Sequence, residues 1–438
     1  MSNISIKTGN LFDKDFSEKI YRQEIANMFR IVRIPPKLKS FFDSLQNQFH
    51  FNHFQYFQTL VLLIAFSWGR RNITALYRHL DSRNRPHRSR FNNFLNVDRC
   101  NWQFVLQMKA YELLSNLHPQ KGQAIELLID DSKSQKYGKI MQAVGWIRDS
   151  FTGQNIRGHQ YVTAVIRFQG HIIPFGIRLY VKKEDCRKLG VKFKKTTQLA
   201  AELISEFQPP EGVHVRVLFD SYYLCPVVVK SCRKSGFHLV STLKSNRNLF
   251  KNSRKLKAGK YGKNLFRGQK KDTFAIHKSK GLVKYIYVDA GWLIVSKLGK
   301  LHVVFSHKAI EHRILGLVTD DPKLSACHII RTYVDRWSIE VFFKDGKQSL
   351  GLGQYQNLSL EAAVTHLHLV CFAYALLTHI ALSRKGAQGK KRSAVHLSTA
   401  DLQNELRRIV WDDLTDYLKQ FSSGTQIVKE LERLLIAA

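Results

Sequence analysis

Two short apolar runs that each stop on an acid constrain this chain most: Ala124 to Ile129, followed by Asp130-Asp131, and His214 to Phe219, followed by Asp220. Each reads as a buried strand. Tyr161 to Phe168 and His171 to Val181 alternate and carry β-branched residues, with Gln169-Gly170 as a hairpin turn between them. Thr196 to Phe207 and Pro226 to Lys234 read as helices, Gly236 as a stop, and His238 to Leu243 as a further strand. The order strand, hairpin, helix, strand, helix, strand builds an α/β or α+β core on a mixed sheet.

The flanking regions differ in pattern. Up to about residue 120 the chain reads as mostly helical: Phe51 to Phe66 is apolar and aromatic, Asn72 to Leu80 repeats Ile73, Leu76 and Leu80 at helical spacing, and Arg90 to Leu95 opens another short helix. Arg70, Arg71, Arg78, Arg83, Arg85, Arg88 and Arg90 lie in and between these. Two short helices with a basic link resemble a helix-turn-helix DNA reader; a solvated charged loop over a helical bundle is the plainer alternative. Residues 244 to about 315 read as a β-rich insertion, with strand-like runs at Leu282 to Val288, Leu293 to Lys297 and Leu301 to Ser306. Lys251 to Lys271 holds nine Lys or Arg and reads as a basic loop, either solvated surface or a clamp on DNA backbone. From Ser325 one helix is expected through Tyr333, Trp337 and Phe343, and a second apolar helix from Ala362 to Leu382. Gly386 to Arg392 reads as a polar linker, and the C-terminal residues as small amphipathic helices.

Charge narrows the partners. Among 438 residues, Lys and Arg number 69 against 34 Asp and Glu, a net +35. So basic a chain repels itself unless a polyanion answers it, and nucleic acid is the first candidate. A membrane is disfavoured: no uncharged apolar run nears the roughly 20 residues that span a bilayer, the longest being Thr59 to Trp68. The start, Met1-Ser2-Asn3-Ile4, lacks a basic-then-apolar leader. Six cysteines without a Cys-x-x-Cys pair argue against zinc or disulfides and fit a reducing cytoplasm. No phosphate-binding Gly-x-x-x-x-Gly-Lys loop and no Gly-x-Ser-x-Gly elbow occurs. His50, His53, His366 and His368 are too sparse and apolar in setting for a metal site.

An acid fixed at the end of a buried strand is held rigidly at the rim of the sheet. Asp130 and Asp220 fit the role of hard oxygen ligands for Mg²⁺ or Mn²⁺, each with a serine close behind (Ser132, Ser221). Two such ions can activate a water or 3′-hydroxyl and stabilise the leaving oxygen at a phosphodiester. The alternative is a turn or cap carboxylate. Asp131 competes with Asp130 for the first position, and strand alternation sends the two to opposite faces. A third acid is expected on the helix after Ser325. Tyr333, Arg336, Glu340 and Lys347 stand at offsets 0, 3, 7 and 14, which on one helix confines them to a stripe about 60 degrees wide. Glu340 would bind metal, Arg336 and Lys347 would hold phosphates, and Tyr333 would offer a hydroxyl or a stacking face. The alternative is an ordinary Arg336–Glu340 ion pair one turn apart.

This segment resembles the Tyr-x2-Arg-x3-Glu-x6-Lys signature of one branch of bacterial insertion-sequence DDE transposases. Arg336-Trp337-x-Ile339-Glu340, Gly351-Leu352-Gly353, Asp130-x-Ser132 (often Asp-x-Thr there) and Phe219-Asp220-Ser221-Tyr222-Tyr223 resemble the family too. The likeness covers about residues 120 to 385. It implies a mixed α/β, ribonuclease-H-like catalytic domain at 121–385 with a β-rich insertion at about 244–315. A helical, basic DNA-binding region at 1–120 and a helical tail at 386–438 would flank it. Asp130, Asp220 and Glu340 would be catalytic and hold Mg²⁺, with Mn²⁺ as substitute. Tyr333, Arg336, Lys347 and Trp337 would meet the DNA end, Trp337 by stacking on a displaced base or else as a core aromatic. Arg85, Arg88 and Arg90 would bind DNA from the N-terminal region. The implied partners are terminal inverted repeats and target DNA, met as a homodimer, with no membrane, in the cytoplasm at the nucleoid. The implied reaction frees a 3′-hydroxyl at each element end and joins it to target DNA. A metal-dependent nuclease without joining, or a domesticated DNA-binding protein without catalysis, would share much of this sequence.

Overall fold

The computed structural model describes residues 29–436 except 84, 97–99, 139, 150–151, 279–280, 312 and 388–396. The start at Met1-Ser2-Asn3-Ile4 and most of the 386–392 linker lie outside the described residues. The described chain opens with helices α1 (Pro36–Asp43), α2 (Phe51–Phe66), α3 (Ile73–Tyr77), α4 (Arg88–Leu95) and α5 (Trp102–Ser115). Strands β1 (Ala124–Gln135), β2 (Gly145–Arg148), β3 (Asn155–Phe168) and β4 (His171–Tyr180) follow. Next come α6 (Lys183–Cys186), α7 (Thr196–Glu206), β5 (His214–Phe219), α8 (Pro226–Lys234) and β6 (His238–Leu243). Then β7 (Asn248–Lys251), β8 (Arg254–Lys257), α9 (Ala258–Gly268), β9 (Asp272–Lys278), β10 (Gly281–Val295), β11 (Gly299–Lys308) and β12 (Leu315–Thr319). The chain ends on α10 (Ala326–Asp335), α11 (Trp337–Ser349), α12 (Leu360–Ala387), α13 (Thr399–Leu418) and α14 (Gly424–Leu434).

The result is a mixed α/β architecture on one twelve-stranded sheet, in the order β2-β3-β1-β5-β6-β12-β11-β10-β7-β8, with β4 beside β3 and β9 beside β10. β3 and β4 run antiparallel to their neighbours, and β5 and β6 run parallel to β1. Ile125, Leu127, Leu128 and Ile129 are all fully buried, so helices or loops cover both faces of β1, as its uninterrupted apolar run requires. The Gln169-Gly170 turn has positive φ at both residues (48° and 79°), the backbone that twists a two-residue hairpin correctly.

Several expectations change. β1 does not stop at Asp130-Asp131 but continues to Gln135, because β3 pairs with it along its whole outer half. The strands of the β-rich stretch at 244–315 prolong the same sheet. The run at 282–288 and residues 293–295 belong to a single strand, β10, with an irregularity at Asp289–Gly291 that interrupts the alternation, and Ser296 and Lys297 lie in the turn that follows. The basic stretch 251–271 is not a loop. It contains β8 and α9, whose buried Ala258, Gly262, Leu265 and Phe266 form a helical stripe beneath the lysines. Leu360–Arg384 is long and apolar enough to cross a membrane, contrary to the sequence reading, but its most apolar window is 89% buried inside the protein. It is the central helix, packed by α2, α5 and β4. One hydrophobic core runs from Ile31 through the sheet to Val410, so the N-terminal helices and the sheet share it.

Candidate active site

Strand geometry decides which side chains meet. Parallel pairing joins Ala124 to His214 and Leu128 to Leu218; the same register carried two residues on sets Asp130 beside Asp220, just past the end of β5. On β1, Glu126, Asp130, Ser132 and Ser134 share one face, and Asp131 points to the other. The even face meets the helices: Glu126 pairs with Arg167, which also pairs with Asp335 on α10, and Asp130 accepts a hydrogen bond from Arg336 Nη1 at 2.9 Å. Asp131 instead accepts from Gln160 Nε2 at 2.7 Å and from the Tyr223 hydroxyl at 2.9 Å.

The expected single helix from Ser325 is broken. Arg336 caps α10 and opens α11, and tight i→i+3 bonds flank it: Arg336 N–H donates to Tyr333 O and Ile339 N–H to Arg336 O, both at 3.1 Å. The four signature residues are therefore divided between two helices, with Arg336 at the junction in a helical conformation (φ −54°, ψ −27°). Tyr333 sits on α10 with its hydroxyl donating to Thr242 Oγ1 at 3.4 Å, while Glu340 and Lys347 sit on α11. The break aims Arg336 into the sheet, where its guanidinium bridges Asp130 and Glu340. The ion pair one turn apart exists, and it is one half of a larger contact.

Electrostatics follow from burial. Burial pushes the Asp130 carboxyl up to about 7 against the pull of Arg336, with nearby Asp220 and Asp131 adding to the rise. The Asp220 carboxylate accepts from the backbone N–H of Tyr222 at 2.8 Å, which fixes its turn. Burial lowers the Lys347 ammonium, which feels Asp149 just past β2 and Lys133 on β1.

Trp337 is 63% exposed at the start of α11, so it is not a core aromatic. In the N-terminal region Arg88 and Arg90 are exposed on α4, Arg88 donates to Thr74 Oγ1 at 3.3 Å, and Arg85 stacks on the Tyr77 ring at 4.3 Å. Arg71 leaves the expected basic surface: it is buried and donates to the carbonyls of Ile64, Ser67 and Gly69 at the end of α2. Arg83 is held by Glu430. Arg71 is spent on packing, whereas Arg83 stays exposed while paired with Glu430. His366 and His368 are buried core residues with neutral rings, pushed down to about 4 by burial.

The sequence reading missed three partners of the site. Tyr223 and Gln160 hold Asp131. Lys136, buried at the end of β1, donates to the carbonyls of Gly353 and Tyr355 at 2.7 and 2.8 Å and fastens the loop after α11 to the acid-bearing strand. The even-numbered face of β1 could have flagged this, had the strand been drawn to its full length. Among the described residues no group of three His, Cys, Asp or Glu stands together as a metal cage. The donor set nonetheless suits a hard divalent cation. Asp130 and Asp220 are carboxylates at adjacent strand ends, Glu340 shares a cationic partner with Asp130, and burial, with Asp220 and Asp131 nearby, raises the Asp130 carboxyl even against Arg336.

Two family models match the chain. One described as a DDE superfamily endonuclease covers residues 44–282, more than half of it and including Asp130 and Asp220. One described as a transposase DDE domain covers residues 194–376, including Asp220 and Glu340. No curated protein matches it.

Proposed function

Because the chain belongs to the DDE superfamily of endonucleases, we propose that it is a DNA transposase of the Tyr-x2-Arg-x3-Glu-x6-Lys branch, with Asp130, Asp220 and Glu340 as its catalytic acids. The observation that carries this reading is the Arg336 bridge: it draws an acid from β1 and an acid from α11 to one point, beside the end of β5. The order β4-β3-β1-β5-β6, antiparallel then parallel, supports a ribonuclease-H-like core.

The three carboxylates would hold Mg²⁺, or Mn²⁺ in its place. Bound there, the ions supply Lewis acidity to the attacking and leaving oxygens of a phosphodiester. The protein's own groups do the rest. Tyr223 and Gln160 keep Asp131 turned away from Asp130. Arg336 and Lys347 would hold phosphates on either side of Glu340, as bidentate donor and as point charge. Trp337, already exposed, offers a ring to an unstacked base. Water would cut one strand at an element end, releasing a 3′-hydroxyl that then attacks a target phosphorus, forming a new phosphodiester and expelling the 3′-hydroxyl of the target strand. Terminal inverted repeats and target DNA are the proposed substrates, with a homodimer bringing two ends together at the nucleoid, in the cytoplasm. Arg85, Arg88 and Arg90 would contact the repeat outside the acid site.

The joining step distinguishes this from a plain nuclease. A labelled duplex carrying the repeat that flanks the coding region, incubated with Mg²⁺ and a plasmid, should yield label covalently joined to plasmid. Cleavage without any joined product would favour the nuclease, and binding without either would favour a DNA-binding protein.

A further inference from the structure

The signature residues end at Lys347, but the surface they belong to does not. Register along β1, β3 and β2 is unbroken: Asp130 faces Thr163, Ser134 faces His159, and Arg157 faces Trp146. Cross-strand partners project to the same side, so Trp146 and Arg148 stand on the sheet face that carries Asp130, farther along it. Trp146 is 65% exposed, and Tyr137 and Ile140 in the preceding turn are 84% and 75% exposed. Three large apolar side chains bared within ten residues make a patch, not a scatter. The turn before β2 is fastened to the loop after α11, with Lys136 Nζ donating to Gly353 O at 2.7 Å and Gln142 N–H to Leu358 O at 2.8 Å, and Lys347 near the end of α11 feels Asp149, the residue after β2. Arg148 is exposed, and Arg157 donates to Gly138 O across the hairpin. Aromatic faces beside cations in a chain of net +35 suit DNA bases and phosphates.

Resting on the transposase reading, we propose that Trp146 is a second stacking contact for the element-end DNA, at the opposite end of α11 from Trp337. The 13 residues of α11 span about 20 Å, which matches roughly six nucleotides at 3.4 Å each. The DNA strand thus runs from Trp337, past Arg336, Glu340 and Lys347, to the β2 hairpin, and the two indoles mark its entry and exit.

Single 2-aminopurines placed in turn along an element-end duplex report stacking as quenched fluorescence. Two quenched positions about four to six nucleotides apart are expected with the wild type. Trp146→Ala should restore fluorescence at one only and weaken binding about five- to a hundred-fold, and Trp146→Phe should largely retain both. Trp337→Ala should restore the other. If Trp146→Ala leaves every position and the affinity unchanged while the Trp337 signal persists, the proposal falls and the transposase reading stands. If the wild type does not prefer element-end over random DNA, the reading itself falls and takes the proposal with it.

Discussion

Single residues in this site are tuned mainly by burial. The Asp130 carboxyl rises from an ordinary 3.8 to about 7 because it is buried, with Asp220 and Asp131 adding to the effect. A folded-state pKa above the unfolded one means the native chain holds that proton more tightly. The stability it contributes is complete below about pH 4 and is lost as pH rises through about 7. Asp130→Asn stays neutral throughout. In EDTA its stability relative to wild type should therefore climb between pH 5 and pH 8, by on the order of a few kcal/mol. Denaturant titrations at both pH values check this, and a difference that stays flat would make Asp130 an ordinary solvated acid. The positions of Asp130 and Asp220 on neighbouring strands were legible from the sequence, because each follows an apolar run that reads as a buried strand. The fate of Arg71 was not, since a guanidinium buried among carbonyls leaves no trace in local pattern.

At the scale of elements, the sequence resolves those whose side chains repeat in one period, and fails where two elements abut. α2, α8, β5 and β6 have the bounds their apolar runs suggest. The break at Arg336 was invisible because Tyr333 to Lys347 keeps helical composition through it, and the contact of Arg336 with Asp130 is to a residue 206 positions away. α9 was hidden by its lysines. The loop after α11 is set by contact as well. Gly353 has φ of +84°, and a Cβ there would stand 2.0 Å from Ser134 Oγ on β1. Gly353→Ala should cost about 2 kcal/mol or more, from backbone strain and overpacking together. Because the loop lies on the strand bearing Asp130, it should also slow DNA nicking. Unchanged unfolding midpoints and rates would show that the loop does not rest on β1 in solution.

The whole molecule turns on α12, which the N-terminal helices and the sheet both cover. Phe54, Phe57, Leu60 and Val61 of α2 are buried in the same core as the strands. A fragment beginning at residue 121 should therefore fail to fold cooperatively, even though the acids all lie within it. A soluble fragment with a sharp thermal transition would instead mark the first 120 residues as a separable domain. The basic surface remains the reason to look for DNA, and the acids beneath it the reason to look for cutting. The most direct test of that combination is nicking and joining of element-end DNA in Mg²⁺ by wild type and by Glu340→Ala. The variant should bind the DNA and unfold at a similar temperature, yet lose cleavage and joining by about a thousand-fold or more, as expected when a metal-holding acid worth several kcal/mol is removed. Full activity in the variant would reduce Glu340 to the ion-pair partner of Arg336 and contradict the assignment of the active site.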